Sequence, residues 1–265
     1  MKIGIDAGGT LIKVVYDDAE GRVYYKIPTR EIEALIADLN ENHPDAEYYI
    51  TGGGAERFKA QLTGTVFIYE EFDATFTGLQ LMLKEQDLHL DSFVYLNVGT
   101  GTSIHYAENN QQQRIGGSGV GGGTLLGLSQ LLVGSSDFDE VIALSKEGNR
   151  DHVDLKVKHI YGDAEPPIPG DFTASNFAYV LENTTDISDA DKVQAVVGLV
   201  AETVMTIGLA VAERQNISDI VFIGSTFNNN DVMRDIIKRY GELLGARPHI
   251  IENGEFSGAL GAIYV

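Results

Sequence analysis

Five short stretches hold residue types that, at their spacing, could do chemistry. In "YEEFDAT", residues 69–75, the acids Glu70, Glu71 and Asp73 crowd the end of the apolar run "GTVFI". A carboxylate there is either part of a solvated turn or a group placed to orient and accept a proton. The residues alone leave all three acids open. "DAGGTLIK" at 6–13 ends one strand pattern and starts another across two glycines. Such a turn lets backbone approach a ligand closely, and its N–H groups can cradle an anion. Asp6 could hold Mg²⁺, through water given how reluctantly that ion dehydrates, and Lys13 could meet phosphate as a point charge. The plain alternative is a tight hairpin with an exposed acid.

"NVGTGTS" at 97–103 supplies backbone donors and two hydroxyls in a loop like the first. "GGSGVGGG" at 116–123 runs into a helical apolar pattern that begins at Thr124. A glycine turn feeding a helix N-terminus is suited to anions. It is not a Walker loop, because no Gly-Lys-Ser/Thr follows, and no buried strand precedes it as a dinucleotide fingerprint requires. "VFIGSTF" at 221–227 ends a strand in Gly224 and Ser225, leaving room for a flat ring against backbone. The six histidines show no metal-ligand spacing, so no structural zinc site is expected.

The elements that must position these residues alternate in type. "KIGIDAG", "TLIKVVYDD" and "GRVYYKIPT" predict three strands joined by turns. "REIEALIADLNEN" has apolar residues at 32, 35, 36 and 39, the spacing of a helix. "AEYYITGGGAERFKAQL" reads as strand, glycine turn and helix; "GTVFIYEEF" as a strand; "ATFTGLQLMLKEQDL" as a helix. Strand alternation then predicts that Glu70 and Glu71 face opposite ways, with Asp73 as the cap of the next helix. "SFVYLNVGTGTSIHYAEN" repeats the opening, with Gly9-Thr10 aligned over Gly101-Thr102, and "QQQRIGG" is a candidate third strand. Helices are predicted at "ASNFAYVLEN", in the long "KVQAVVGLVAETVMTIGLAVAERQN", at "DVMRDIIKRYGELLG" and at the C-terminus. "PPIP" at 166–169 marks a stiff irregular segment. The pattern predicts an α/β protein with a duplicated opening and a hinge near residue 92 rather than a tether.

The chain has 265 residues and a formal net charge of −20. That charge argues against nucleic acid, whose affinity comes from lysine and arginine on phosphate, and against anionic membranes. No run approaches the ~18 apolar residues of a membrane span. There is no cysteine, which excludes disulfides and thiolate metal sites and fits a cytoplasmic protein. The first residues form a strand pattern at once, so no signal peptide is expected.

The loops in this order, Asp-Gly-Gly-Thr, Gly-Thr-Gly-Thr, Gly-Gly-Gly and Gly-Ser, resemble those of the actin, sugar-kinase and Hsp70 superfamily of two-lobed ATP phosphotransferases. The phrases "GIDAGGTLIK", "EFDA", "NVGTGTSIHY", "RIGGSGVGGGT", "DLKVKHIYGD", "PPIPGDFTASNF", "IGSTFNNN" and "ENGEFSGALGA" resemble type II pantothenate kinases of the staphylococcal and bacillar kind. The resemblance implies an actin-like, ribonuclease H-like duplicated α/β fold with a central nucleotide cleft and lobes at 1–92 and 93–265. It implies ATP- and Mg²⁺-dependent phosphorylation of pantothenate, the first step toward coenzyme A, by a homodimer. The long helix at 192–214 has more apolar surface than one lobe needs, which agrees with a dimer.

Carried onto this sequence, the family's base is the acid before Phe-Asp-Ala, Glu71, and its substrate-binding arginine is Arg114. The ATP pattern falls on Asp6, Ala7, Gly8, Gly9, Thr10, Leu11, Ile12 and Lys13, on Thr100, on Gly122, Gly123, Thr124, Leu125 and Leu126, and on Ser225. It also falls on Phe138, where relatives can have Tyr, so a stacking role survives and a hydroxyl contact does not. Thr173, Ala174 and Tyr240 are candidates for the pantothenate tail, with plain side-chain contact or a dimer contact as the alternative. Two other readings stand beside this one: a sugar-type kinase of the same fold, and a nucleotide-binding regulator without catalysis.

Overall fold

The computed structural model describes residues 1–182 and 186–265. β1 (Lys2–Ala7), β2 (Leu11–Asp17) and β3 (Arg22–Pro28) form an antiparallel meander, followed by helix α1 (Ile32–Asn42), β4 (Glu47–Thr51), α2 (Ala55–Lys59), β5 (Thr65–Ile68) and α3 (Glu71–Glu85). β6 (Ser92–Val98), β7 (Thr102–Glu108) and β8 (Gln111–Ser118) form a second meander. After it come α4 (Gly122–Val133), α5 (Phe138–Lys146), β9 (Leu155–Lys156), α6 (Val157–Tyr161), β10 (Thr173–Ser175) and α7 (Asp189–Arg214). β11 (Asp219–Ile223), α8 (Asp231–Leu243), β12 (Arg247–Ile250) and α9 (Ser257–Ala262) complete the chain.

The duplication read in the opening extends to whole sheets. The first runs β3-β2-β1-β4-β5 and the second β8-β7-β6-β11-β12. In each, two antiparallel strands lead into parallel ones. Alternation gives each sheet two apolar faces. On the outer face of the first, Ile3, Ile5, Ile12 and Val14 meet Ile32, Leu35, Ile36 and Leu39 of α1. On the outer face of the second, Val94, Leu96 and Ile220 meet Val196, Val200 and Val204 of α7. Between the sheets lie α3 and α9, with Phe76, Leu79, Met82 and Leu260 packed against Val15, Tyr95 and Val221. α9 therefore leaves the second sheet and closes on α3 and β1.

α7 opens on a capping box, Ser188 and Asp191 each accepting from the other's backbone N–H. By length and composition it could cross a membrane, but Val193, Val197, Ala201, Met205 and Gly208 are buried within its own lobe. The apolar surplus expected for a dimer face is mostly spent there, against the sheet and α4, α5 and α8.

Two segments differ from their expected form. The strand expected to run through Glu71 stops at Ile68. Glu70 is the extended N-cap of α3 and Glu71 its first helical residue, so the two acids are not related by strand alternation. Asp73 lies in the first turn rather than at the cap. Three acids at 70–73 suit a helix start through the dipole, and that local preference overrides continuation of the strand. The helix expected at "ASNFAYVLEN" is a short strand, Thr173–Ser175, and a 3₁₀ turn, Ala178–Leu181; its last residue, Asn183, lies outside the described residues. Phe177 enters that turn with φ of 62°, which no continuous helix allows.

Candidate active site

The cleft opens where β1, β6 and their loops face each other across α3 and α9. Asp6, next to last in β1, lies opposite Lys13 of β2, and Lys13 Nζ donates to Asp6 Oδ2 at 2.9 Å. The two expected phosphate loops touch: the Thr10 and Thr100 hydroxyls are 2.9 Å apart. The alignment paired Thr10 with Thr102, but Thr102 is buried and donates to the Val120 carbonyl instead.

A cavity of about 520 Å³ is lined by Asp6, Lys13, Glu71, Thr100, Arg114 and Ser225, with Glu255, Ser257 and Gly258 from the C-terminal segment. Glu71 is thus brought to the same space as Asp6, Lys13 and Arg114. Desolvation, and next the Asp6 carboxylate, push the Glu71 carboxyl above the ordinary range, while Lys13 opposes. Glu70 and Glu71 are both exposed overall, and Glu71's desolvation is that of a carboxyl turned into the cleft; Glu70 lines none of this cavity. Arg114 sits on the edge strand β8 with its guanidinium over the Phe72 ring at 5.5 Å.

A contiguous cavity of about 310 Å³ shares Gly8, Gly9, Lys13, Gly99, Thr100 and Ser225 with the first and adds Thr10, Leu11, Gly122, Gly123, Leu126 and Phe138. Its wall is made of backbone close to backbone. Gly224 holds φ of 113°, and a Cβ there would stand 2.4 Å from the Val98 carbonyl oxygen, so only glycine fits the turn that presents Ser225. Gly122 starts α4 with its N–H on the Gly99 carbonyl, which sets the helix N-terminus against the second loop.

Other expected residues lie elsewhere. The side chains of Ala7, Ile12 and Leu125 point into the core, leaving only their backbone for a ligand. Thr124 caps α4: its hydroxyl accepts from the Gly121 N–H and donates to the Gly119 carbonyl. Thr173 and Tyr240 do not reach the cleft of their own chain. The Thr173 hydroxyl belongs to a buried charge cluster, with Arg150 Nη2 at 3.1 Å, Lys156 Nζ at 2.9 Å and Glu202 Oε1 at 2.8 Å. Tyr240 stacks on Phe172, with 4.6 Å between ring centroids, and with Arg150, Lys156 and Glu202 lines a separate cavity of about 380 Å³. Ala174 is exposed and lines neither cavity.

Lys26, Asp139, Thr226 and Glu255 were not foreseen. Lys26 is opposite Lys13 across β2 and β3 and enters the smaller cavity; pairing the first two hairpin strands would have put it there. Thr226 donates to the Gly99 carbonyl at 3.1 Å and follows directly on Ser225. Nothing local marks Glu255, which reaches the cleft only because α9 returns to the first lobe.

Among the described residues no group of three or more His, Asp or Glu could hold a metal alone. Asp6, with Glu71 and Glu255 on the same cavity, is too sparse a set to enclose an ion alone and fits one bound mostly by phosphate oxygens and water, as Mg²⁺ is.

The family model described as Fumble matches residues 18–264. A type II pantothenate kinase of Staphylococcus haemolyticus is 48% identical over 266 residues, covering 100% of both chains. The enzyme of the same description from Staphylococcus aureus is 42% identical, covering 100% of this chain and 99% of that one. Among solved structures, the activator of the 2-hydroxyisocaproyl-CoA dehydratase from Clostridium difficile with bound ADPNP superposes with a TM-score of 0.61 at 16% identity, over 99% of this chain and 93% of that one. A ROK family glucokinase from Streptomyces griseus, in complex with glucose and AMPPNP, gives 0.57 at 16% identity over 99% and 97%. These two share the actin-like α/β fold with this chain.

Proposed function

We propose that this chain, which belongs to the type II pantothenate kinase family, phosphorylates pantothenate with ATP by means of Glu71 as base and Arg114 as substrate-binding cation. The chain is an ATP-dependent kinase that makes 4′-phosphopantothenate, the first step of coenzyme A synthesis. The single observation that supports the assignment of roles is that Glu71, Arg114, Asp6 and Lys13 line one cavity next to the nucleotide-sized one.

Phosphoryl transfer is mostly positioning and charge stabilisation. The triphosphate would lie along the Gly8–Thr10 and Gly99–Thr100 loops, with the adenosine between Phe138 and Ser225. Lys13, and Lys26 behind it, supply positive charge to oxygens that carry negative charge throughout. Glu71 accepts the proton of the attacking hydroxyl as the oxygen–phosphorus bond forms and the bond to the leaving diphosphate breaks. Its raised proton affinity brings it nearer to the optimum for a base working close to neutrality. Arg114 offers fixed N–H donors to the substrate and offsets developing charge. Mg²⁺, held by Asp6 through water, would neutralise phosphate charge when bound.

We read the protein as a cytoplasmic homodimer. Ile160, Tyr161, Ile168, Val180 and Leu181 are exposed around the segment that carries Thr173, and an apolar surface of that kind favours association. The experiment for the activity is a coupled assay of ADP release with pantothenate, glucose and N-acetylglucosamine as acceptors. Turnover is expected with pantothenate; either sugar outpacing it would overturn the assignment.

A further inference from the structure

Directly behind the cleft, three strands of the second sheet present one row of side chains to α3. β6 and β7 pair Tyr95 with His105, and β7 and β8 pair His105 with Arg114, so the three share a face. Tyr95 and His105 stack at 4.5 Å and 10°. From α3, Phe76 stacks on Tyr95 at 6.0 Å, and Phe72 meets His105 edge-on at 5.1 Å while its ring receives Arg114. β8 has one residue more than β7 here: Ile104 faces Gly116 and His105 faces Arg114, which leaves Ile115 without a partner. A bulge bends its strand and re-aims the neighbouring side chain, and that neighbour is Arg114. Beyond it, the Arg114 Nη2 atom lies 3.0 Å from where a Cβ of residue 117 would stand, so the glycine at 117 leaves the guanidinium its place.

Gln112 is two residues before Arg114 on the same side of β8 and ties the row to α3. Its Nε2 is 3.5 Å from Asp73 Oδ1. A carboxylate only accepts, so the amide turns its NH₂ to Asp73 and its oxygen the other way. That oxygen accepts from the Tyr95 hydroxyl at 2.5 Å and from His105 Nδ1 at 2.9 Å. His105 Nδ1 therefore carries a proton, and burial pushes the imidazole down to about 4, which favours the neutral ring. Among these contacts one residue of the second lobe holds both the strand of Arg114 and the first turn of α3. Asp73 is two positions after Glu71, and Phe72 lies between them.

We propose that Gln112 is a positioning residue for phosphoryl transfer, holding the first turn of α3, and with it Glu71, at a fixed spacing from Arg114. Gln112 lines neither cavity of the cleft and acts through these two side chains. The inference rests on their roles as read above. Fixed geometry matters because an error of about 1 Å in placement can cost on the order of 100-fold in rate.

Gln112→Met keeps the length of the side chain and removes its hydrogen bonds. It is expected to lower kcat by about 10-fold or more, with the Kd of a non-hydrolysable ATP analogue, measured by calorimetry, unchanged within about two-fold. Introduced into Arg114→Ala, the same substitution should lose most of its effect, because the spacing it controls no longer includes the arginine. Asp73→Asn gives a second measurement if Gln112→Met does not fold. It leaves the side-chain length unchanged, removes the charge that orients the amide, and should show a smaller loss with the same coupling to Arg114. Wild-type kcat in the folded Gln112 variant, or an equal loss with and without Arg114, would overturn the inference. Should Glu71→Gln and Arg114→Ala themselves retain wild-type turnover, the reading of the site falls, and this inference with it.

Discussion

The acid proposed as base is set apart by its surroundings rather than by its type. Glu70, Glu71 and Asp73 are close in sequence, yet only Glu71 shares a cavity with Asp6, Lys13 and Arg114. Asp6 and desolvation raise its proton affinity. A general base works only when deprotonated, so kcat/KM should rise with pH through the raised value. The acid limb should lie above the ~4.3 of an unperturbed glutamate and vanish in Glu71→Gln. That variant should also lose about 10²–10⁴-fold in kcat while Glu70→Gln stays near wild type. A pH profile flat down to pH 4 in the wild-type enzyme, or inactivity of the Glu70 variant, would remove Glu71 from this role.

At the scale of elements, the site depends on α3 and α9 lying backbone to backbone between the sheets. A Cβ at Gly261 would stand 1.8 Å from the Ala74 carbonyl oxygen, and one at Gly78 would stand 1.9 Å from that of Ser257. Gly261→Val must push the helices apart. Overfilling of this kind costs roughly 1–3 kcal/mol or more, so the variant should melt several degrees lower and lose activity as Glu71 shifts. Gly53, with nothing within 4 Å of a built Cβ, supplies the control, and Gly53→Ala should behave as wild type; a Gly261→Val protein with unchanged melting would refute the close contact. This contact was not legible in the sequence, because a helix at the far end of the chain returns to the first lobe and no periodicity reports that. Most strands of the two five-stranded sheets and the helix at Ile32–Asn42 were legible, and in β1, β2, β6, β7 and that helix the pattern matched a buried face; β9 and β10 were not. The glycine loops were legible because few residues other than glycine tolerate such turns. The end of β5 was not: "IYEEF" satisfies a strand up to Glu71, and the helix begins there because acids favour a helix N-terminus. So Glu71 was singled out by resemblance and alternation, while its place in the cleft comes from a helix start.

For the whole molecule, the notable quantity is the net charge of −20 on an enzyme whose two substrates are anions. The field of the surface repels both, and inside the cleft Lys13, Lys26 and Arg114 counter it at short range, among the carboxylates of Asp6, Glu71, Asp139 and Glu255. The two fields respond differently to salt. Repulsion acts over distances that ions screen, since the Debye length shortens from about 30 Å at 0.01 M to about 8 Å at 0.15 M. Contacts of a few ångströms within a partly closed cleft are screened much less. Raising ionic strength over that range should therefore increase kcat/KM for pantothenate, by about two-fold, with little change in kcat, because encounter rather than chemistry is affected. Steady-state kinetics at constant Mg²⁺ and varied KCl measures this. A fall in kcat/KM with salt would mean that the lysines and arginine of the cleft, and not the acidic surface, govern the approach of substrate; in that case Lys26→Gln should abolish the salt dependence, whereas repulsion by the whole surface would leave it in place.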